Sequence, residues 1–173
     1  MGESETVFLR FIDLGRCMGC ETCQYVCEFV NSRPLIKVYR TSLGLEIPLS
    51  CFHCRNAPCV QACPTGAMRV DEQGAVRVEK FRCIGCLSCL YACPFGIPEL
   101  DPEAKIVTKC DLCSELRTRG LEPACYVMCP AGAIMYGEPL AVFDKVKRRV
   151  AEDFARSRFR ASEISTTLQG QGL

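Results

Sequence analysis

The chain has no surplus of either charge. Its 21 Lys and Arg face 20 Asp and Glu over 173 residues, a formal net charge of +1, so the basic excess that marks a nucleic-acid binder is missing. No run approaches the roughly eighteen apolar residues of a membrane-spanning helix. The opening residues, MGESETVFLR, are acidic and lack the basic start and apolar stretch of a secretory signal, and no twin-arginine pair precedes the first cysteine. Gly2 and Thr6 satisfy a myristoylation pattern so short that we read it as a chance match. A cytoplasmic home follows as the expectation, with export alongside a signal-bearing partner as the alternative. Histidine occurs once, at His53, so the serines have no set of partners for a hydrolytic triad. Neither a nucleotide-binding glycine fingerprint nor a P-loop occurs. The acidic residues are scattered and read as solvated surface. No active site is legible, and we expect a chain that is not itself an enzyme.

Ordinary core-forming residues are also modest in supply. The 49% hydrophobic fraction counts 16 cysteines, and setting those aside leaves about 40%. Such a chain needs something besides apolar burial to fold.

The cysteines supply it. They make up about 9% of the residues and fall into four tight groups with none left over. The first is Cys17, Cys20, Cys23 and Cys27. The second is Cys51, Cys54, Cys59 and Cys63. The third is Cys83, Cys86, Cys89 and Cys93. The fourth is Cys110, Cys113, Cys125 and Cys129, widened by SELRTRGLEPA. A secreted disulfide scaffold would need an oxidising compartment, and no signal points to one. Zinc sites usually split four ligands into two CxxC pairs a dozen or more residues apart, whereas here a third cysteine follows after two residues. C-x2-C-x2-C-x3-C-P is the run of bacterial ferredoxins, and Cys83 to Pro94 fits it at every position. Three thiolates at this spacing wrap a loop round three corners of a [4Fe-4S] cubane. The chain then turns helical and carries the fourth to a neighbouring cluster. Sixteen thiolates make four such clusters.

The surroundings repeat as well. A short β-prone segment precedes each group: TVFLRFI, LGLEIPL, AVRVEKF and AKIVTK. Three groups end in CPTGA, CPFGI or CPAGA, where Pro stops a short helix and Gly permits the turn into a strand. The first ends in Cys27-Glu28 instead, which predicts a helix running on through EFVNSRP until Asn31 and Pro34 end it. AMRVDEQGAVRV reads as a hairpin turning at Glu72–Gly74. The fold class expected is α+β: bacterial-ferredoxin-like units with short strands and helices, followed by an amphipathic helix.

This pattern resembles the four-cluster iron–sulfur subunits of the molybdopterin (dimethyl sulfoxide reductase) enzymes. It is also similar to small subunits of formate hydrogenlyase, carbon monoxide dehydrogenase and tungsten aldehyde oxidoreductases. The likeness covers roughly residues 6–137. It implies two interleaved bacterial-ferredoxin-like halves, pairing the first group with the fourth and the second with the third. The implied sites are Cys17, Cys20, Cys23 with Cys129; Cys110, Cys113, Cys125 with Cys27; Cys51, Cys54, Cys59 with Cys93; and Cys83, Cys86, Cys89 with Cys63. Half one would come from about 6–45 and 105–138, and half two from about 46–104, within a domain of residues 1–138. All three leading cysteines of the third group are present, so four full cubanes are expected. His53 then has a structural or hydrogen-bonding role beside a cluster rather than a ligand role.

The resemblance implies a relay of single electrons between a catalytic molybdenum or tungsten subunit, of aldehyde oxidoreductase or formate dehydrogenase type, and a second redox partner. The half built from groups one and four would face the catalytic subunit. The alternatives are a free polyferredoxin carrier, or a subunit of a nickel carbon monoxide dehydrogenase or hydrogenase. Sixteen thiolates remove sixteen charges and four dicationic cores return eight, so the +1 chain becomes about −7 when loaded. The iron-free chain is not expected to hold its fold.

Beyond these groups, Leu140, Phe143, Val146, Val150 and Phe154 recur at spacings of three and four, with Lys145, Lys147, Arg148 and Arg149 between them. This predicts an amphipathic helix over 139–160. It either packs on its own domain or docks on a partner. The polar 161–173 reads as a flexible tail.

Overall fold

The computed structural model describes residues 8–170, with side chains through 158. Gly2 and Thr6, and the side chains of the tail at 161–173, lie outside the described residues.

Among the described residues, every strand belongs to a two-stranded antiparallel pair. Three pairs are local hairpins: β2 (Ile36–Arg40) with β3 (Glu46–Ser50), β4 (Met68–Val70) with β5 (Val76–Val78), and β6 (Glu99–Asp101) with β7 (Ile106–Thr108). The fourth joins the two ends of the unit that closes at Glu138. There β1 (Leu9–Ile12) pairs with β8 (Ile134–Gly137), in a register from Leu9 opposite Gly137 to Ile12 opposite Ile134. Each of the four β-prone segments expected before a cysteine group contains a strand: β1, β3, β5 and β7 in turn.

The hairpin expected at Glu72–Gly74 forms, and Asp71 holds it. The Asp71 carboxylate accepts from the Gln73 and Ala75 amides at 3.1 and 2.8 Å, an Asx turn that fixes the loop from its first residue.

Short helices follow the cysteine loops: α1 (Thr22–Asn31), α2 (Pro58–Gln61), α3 (Ser88–Ala92), α4 (Ser114–Thr118) and α5 (Ala124–Val127). A 3-10 turn at Lys80–Arg82 leads into the third group. The three Cys-Pro-x-Gly endings take one shape. Gly66, Gly96 and Gly132 have φ of 62°, 60° and 58°, and their amides donate to the carbonyls of Cys63, Cys93 and Cys129 at 3.2, 3.1 and 3.1 Å. The first group differs as expected. With Glu28 in place of Pro, α1 runs on to Asn31, and Ser32 at φ 59° ends it. Helix α1 packs against α5, and α2 against α3.

A second unit begins at Pro139. It is one helix, α6 (Pro139–Gly170), whose backbone continues past the end expected at Arg160. Arg148 pairs with Asp144 at 2.6 Å and Arg149 with Asp153 at 3.5 Å, both one turn apart, which supports the exposed face of a helix. Among the described residues, no helix is long and apolar enough to cross a membrane.

Candidate metal centre

All 16 cysteines are free thiols in this structure. Two apolar cores gather most of them. One holds Cys59 and Cys89 with Ala57, Met68, Val76 and Val107, and draws in Cys54, Cys63 and Cys83. The other holds Cys23, Cys27 and Cys125 with Ile36 and Ile134, and draws in Cys129. The first core therefore mixes groups two and three, the second groups one and four.

The field that each thiol meets follows the same division. Burial pushes the Cys23 thiol up to about 11, and the nearby charges reinforcing that shift are Cys17, Cys20 and Cys129. Cys125 is pushed up to about 12 by burial, with Cys110, Cys113 and Cys27 adding to it against the opposing pull of Arg10. Cys59 is raised by burial, then by Cys51 and Cys93, against Lys109. Cys89 rises to about 11 through burial, with Cys59 and Cys63 nearby. A small pocket is walled by Cys63, Cys83, Cys86 and Cys89 together with Ala67, Met68 and Val107.

Among the described residues, no three His, Cys, Asp or Glu side chains converge as a site for one ion. A cubane needs no such convergence, because each thiolate binds a different iron at a different corner. Soft sulfur donors in apolar walls, with amides turned toward them, fit an iron–sulfur cluster.

Those amides come from a repeated loop. In the leading C-x-x-C of each group the residue before the second cysteine has positive φ: Gly19 at 68°, His53 at 50°, Gly85 at 67° and Leu112 at 58°. Left-handed residues in a turn aim backbone N–H groups into an anion-binding hollow. Amides also reach the thiols themselves. Leu35 donates to Cys27 at 3.3 Å, Met68 to Cys63 at 3.5 Å, Val107 to Cys83 at 3.3 Å and Ala133 to Cys129 at 3.3 Å. Asn31 adds a side-chain donor to Cys27 at 3.4 Å. Such hydrogen bonds offset thiolate charge and tune potentials.

Cys20 and Cys86 are the exposed members of the set. Each lies beside a hydroxyl two residues on, Thr22 at 3.3 Å and Ser88 at 3.4 Å, and that contact lowers both thiols. Cys63 is lowered too: burial opposes it, but the Met68 amide and the Thr65 hydroxyl prevail.

His53 accepts the Val76 amide at Nδ1, 3.0 Å away. This makes Nε2 the protonated nitrogen of the neutral ring. Burial and the cations Lys109, Arg10 and Arg117 push His53 well below the usual range, so it stays neutral.

Sequence reading missed the charged residues inside the unit. Lys109 and Arg117 are buried, and Arg10 is half-buried with its Nε enclosed and Cys110, Cys125 and Cys51 nearby. Arg117 pairs with Asp71 at 2.7 Å and also donates to the Leu112 carbonyl at 2.9 Å. Nothing in their neighbourhoods distinguishes them from surface cations. The Cys-x-Ser/Thr pattern of Cys20-x-Thr22, Cys63-x-Thr65 and Cys86-x-Ser88 was a usable signal for the hydroxyls.

The family model for the 4Fe-4S dicluster domain matches residues 44–139. A thiosulfate reductase electron transfer subunit of Salmonella typhi is 39% identical over 145 residues, covering 75% of this chain and 75% of that one. A polysulfide reductase subunit of Wolinella succinogenes is 36% identical over 154 residues, covering 80% of each. An uncharacterized ferredoxin-like protein of Escherichia coli K12 is 40% identical over 150 residues, covering 78% of this chain and 67% of the relative.

Proposed function

Because the chain belongs to the 4Fe-4S dicluster family, with the iron–sulfur subunits of the dimethyl sulfoxide reductase group, we propose that its four clusters form one line through two interleaved halves and serve a separate catalytic subunit. The chain carries four [4Fe-4S] clusters and relays single electrons. When bound, each cluster takes up and gives back one electron with no bond made or broken.

The observation that carries the proposal is the mixing of cysteine groups, two with three in one core and one with four in the other. The fields at Cys23, Cys125, Cys59 and Cys89 support four sites: Cys17, Cys20, Cys23, Cys129; Cys110, Cys113, Cys125, Cys27; Cys51, Cys54, Cys59, Cys93; and Cys83, Cys86, Cys89, Cys63. They run in that order. Cys51 feels Cys110, which supports contact between the halves at the second and third sites. The exposed Cys20 and Cys86 then stand at the two ends, where electrons enter and leave. Strand pairing of β1 with β8 supports the interleaving, since it closes the first half only after the second is built.

The chain does no bond-making of its own in this reading. Its partner is a catalytic reductase subunit, as the reductase names of the relatives suggest, and the resemblance of the cysteine pattern favours a molybdenum or tungsten enzyme. Tyr25, Phe29, Val30, Val127 and Met128 are exposed on α1, α5 and the residue after it, and they offer that partner an apolar face beside the first site. The apolar stripe of α6 is a second dock. The short linker of 28–50 between the first two groups favours a compact cytoplasmic complex.

Anaerobic native purification with metal analysis tests this. Molybdenum or tungsten in a co-purifying large subunit supports the proposal. Nickel redirects it to a carbon monoxide dehydrogenase or hydrogenase, and about sixteen irons per chain with no partner leaves a free carrier.

A further inference from the structure

A buried charge is costly unless an opposite charge or hydrogen bonds meet it. Arg117 has its counter-ion in Asp71. Arg10 and Lys109 do not: no carboxylate of the described residues lies at ion-pair distance from either. Arg10, on β1, donates through Nη2 to the Cys51 carbonyl at 2.7 Å and through Nη1 to Cys110 Sγ at 3.8 Å. Its Nε is buried with no hydrogen-bond partner. Lys109 is 6% exposed and donates to the carbonyls of Val76 and, at 3.0 Å, Cys110. The thiols facing Arg10 are Cys110, Cys125 and Cys51, and those facing Lys109 include Cys51 and Cys59. All four belong to the two inner sites of the line proposed above. The outer sites carry hydroxyls at Cys20 and Cys86 instead of buried cations.

We infer that Arg10, half-buried with its Nε enclosed, and the buried Lys109 form a cationic bridge between the two inner cluster sites, and that this bridge raises the reduction potentials of the inner clusters while leaving the outer pair to their own surroundings. The inference rests on the four-site reading. Reduction of an inner cluster adds one electron, passed from the neighbouring site. That negative charge arrives beside fixed positive charge in a medium of low dielectric, where the attraction is weakly screened. Among the described residues, the thiolates with their clusters are the anions placed to compensate the two cations. The same pairing that stabilises the cations in the fold therefore favours the reduced state.

The test is an anaerobic redox titration of the full chain in its native complex, followed by electron paramagnetic resonance. Iron and sulfide analysis of the wild type comes first. Fewer than four [4Fe-4S] clusters there refutes the four-site reading, independently of the bridge. In Arg10→Gln, two of the four midpoint potentials should fall by at least a tenfold change in the one-electron equilibrium, about 59 mV, with the other two unmoved. Arg10→Lys keeps the charge and should restore them. Lys109→Met should lower the same two, and it carries the test if Arg10→Gln fails to load iron. All four potentials shifting alike, none shifting, or Arg10→Lys behaving as Arg10→Gln would overturn the inference. So would failure of both charge-removing variants to load iron, since the cations would then be structural.

Discussion

Gly85 and Gly96 separate two costs that glycine substitutions usually confound. Gly85 lies between Cys83 and Cys86 at φ +67°, and a Cβ there would sit 2.5 Å from the Lys105 carbonyl oxygen. Gly96 follows Cys93 at φ +60°, with nothing within 4 Å of its Cβ position. Alanine held in the left-handed region costs about 1–2 kcal/mol at either place. Only at Gly85 must main chain also give way, and overpacking of that kind adds about 1–3 kcal/mol. Gly96→Ala should therefore cost about 1–2 kcal/mol, and Gly85→Ala about 2–5 kcal/mol. The strain at Gly85 falls on a cluster loop, because Val107, two residues beyond Lys105, donates its amide to Cys83. Both variants would be purified anaerobically, analysed for iron, and followed by loss of visible absorption in denaturant. Gly96→Ala should keep its iron and bleach modestly faster than wild type. Gly85→Ala should lose the cluster proposed at Cys83, Cys86, Cys89 and Cys63, about four irons of sixteen. Equal iron contents and equal bleaching rates would refute the claim that close approach of the Lys105 carbonyl, beyond φ alone, requires glycine.

Asp71→Asn keeps an oxygen for the hairpin turn but removes the charge facing Arg117, whose side chain is 4% exposed. A loss of about 3 kcal/mol is expected, because a buried cation is left without its counter-ion; faster bleaching in denaturant would show it, and wild-type resistance would argue against the pair. Chelation of iron should abolish the native circular dichroism. Any folded iron-free population would carry thiols raised to about 11 at Cys23, Cys89 and Cys113 and about 12 at Cys125. Raised folded-state values favour the protonated form, so that population would be stable below about pH 9 and lost as pH climbs through 11 to 12; residual signal that grows with pH would contradict the sign. Val150→Asp with Phe154→Asp on α6 should leave iron at its wild-type level and abolish co-purification of the large subunit if the helix is a dock. Unchanged complex recovery would return the helix to its own chain.

The cysteine ladder was readable because its information is local. Cys83, Cys86, Cys89 and Cys93 sit within one loop and one turn of helix, so spacing alone states which iron corners they can reach. The strand before each group, the Cys-Pro-x-Gly turns and the longer α1 after Glu28 were legible for the same reason, as each depends on a few adjacent residues. The loop shape was only half legible. Gly19 and Gly85 advertise positive φ, whereas His53 and Leu112 adopt it without any glycine to announce it. There the surrounding structure holds a side chain in a conformation that its own preferences disfavour.

The identity of the cofactor, the number of sites and the family were thus written in sequence. The places of Arg10, Lys109 and Arg117 were not. Arg10 comes to lie beside Cys51 and Cys110, 41 and 100 residues away, on β1, the strand that pairs with β8 across the whole unit. Charge and burial are properties of such long-range pairings. A cation in a β-prone segment reads as surface until the fold closes over it and leaves thiolate sulfur as its nearest opposite charge.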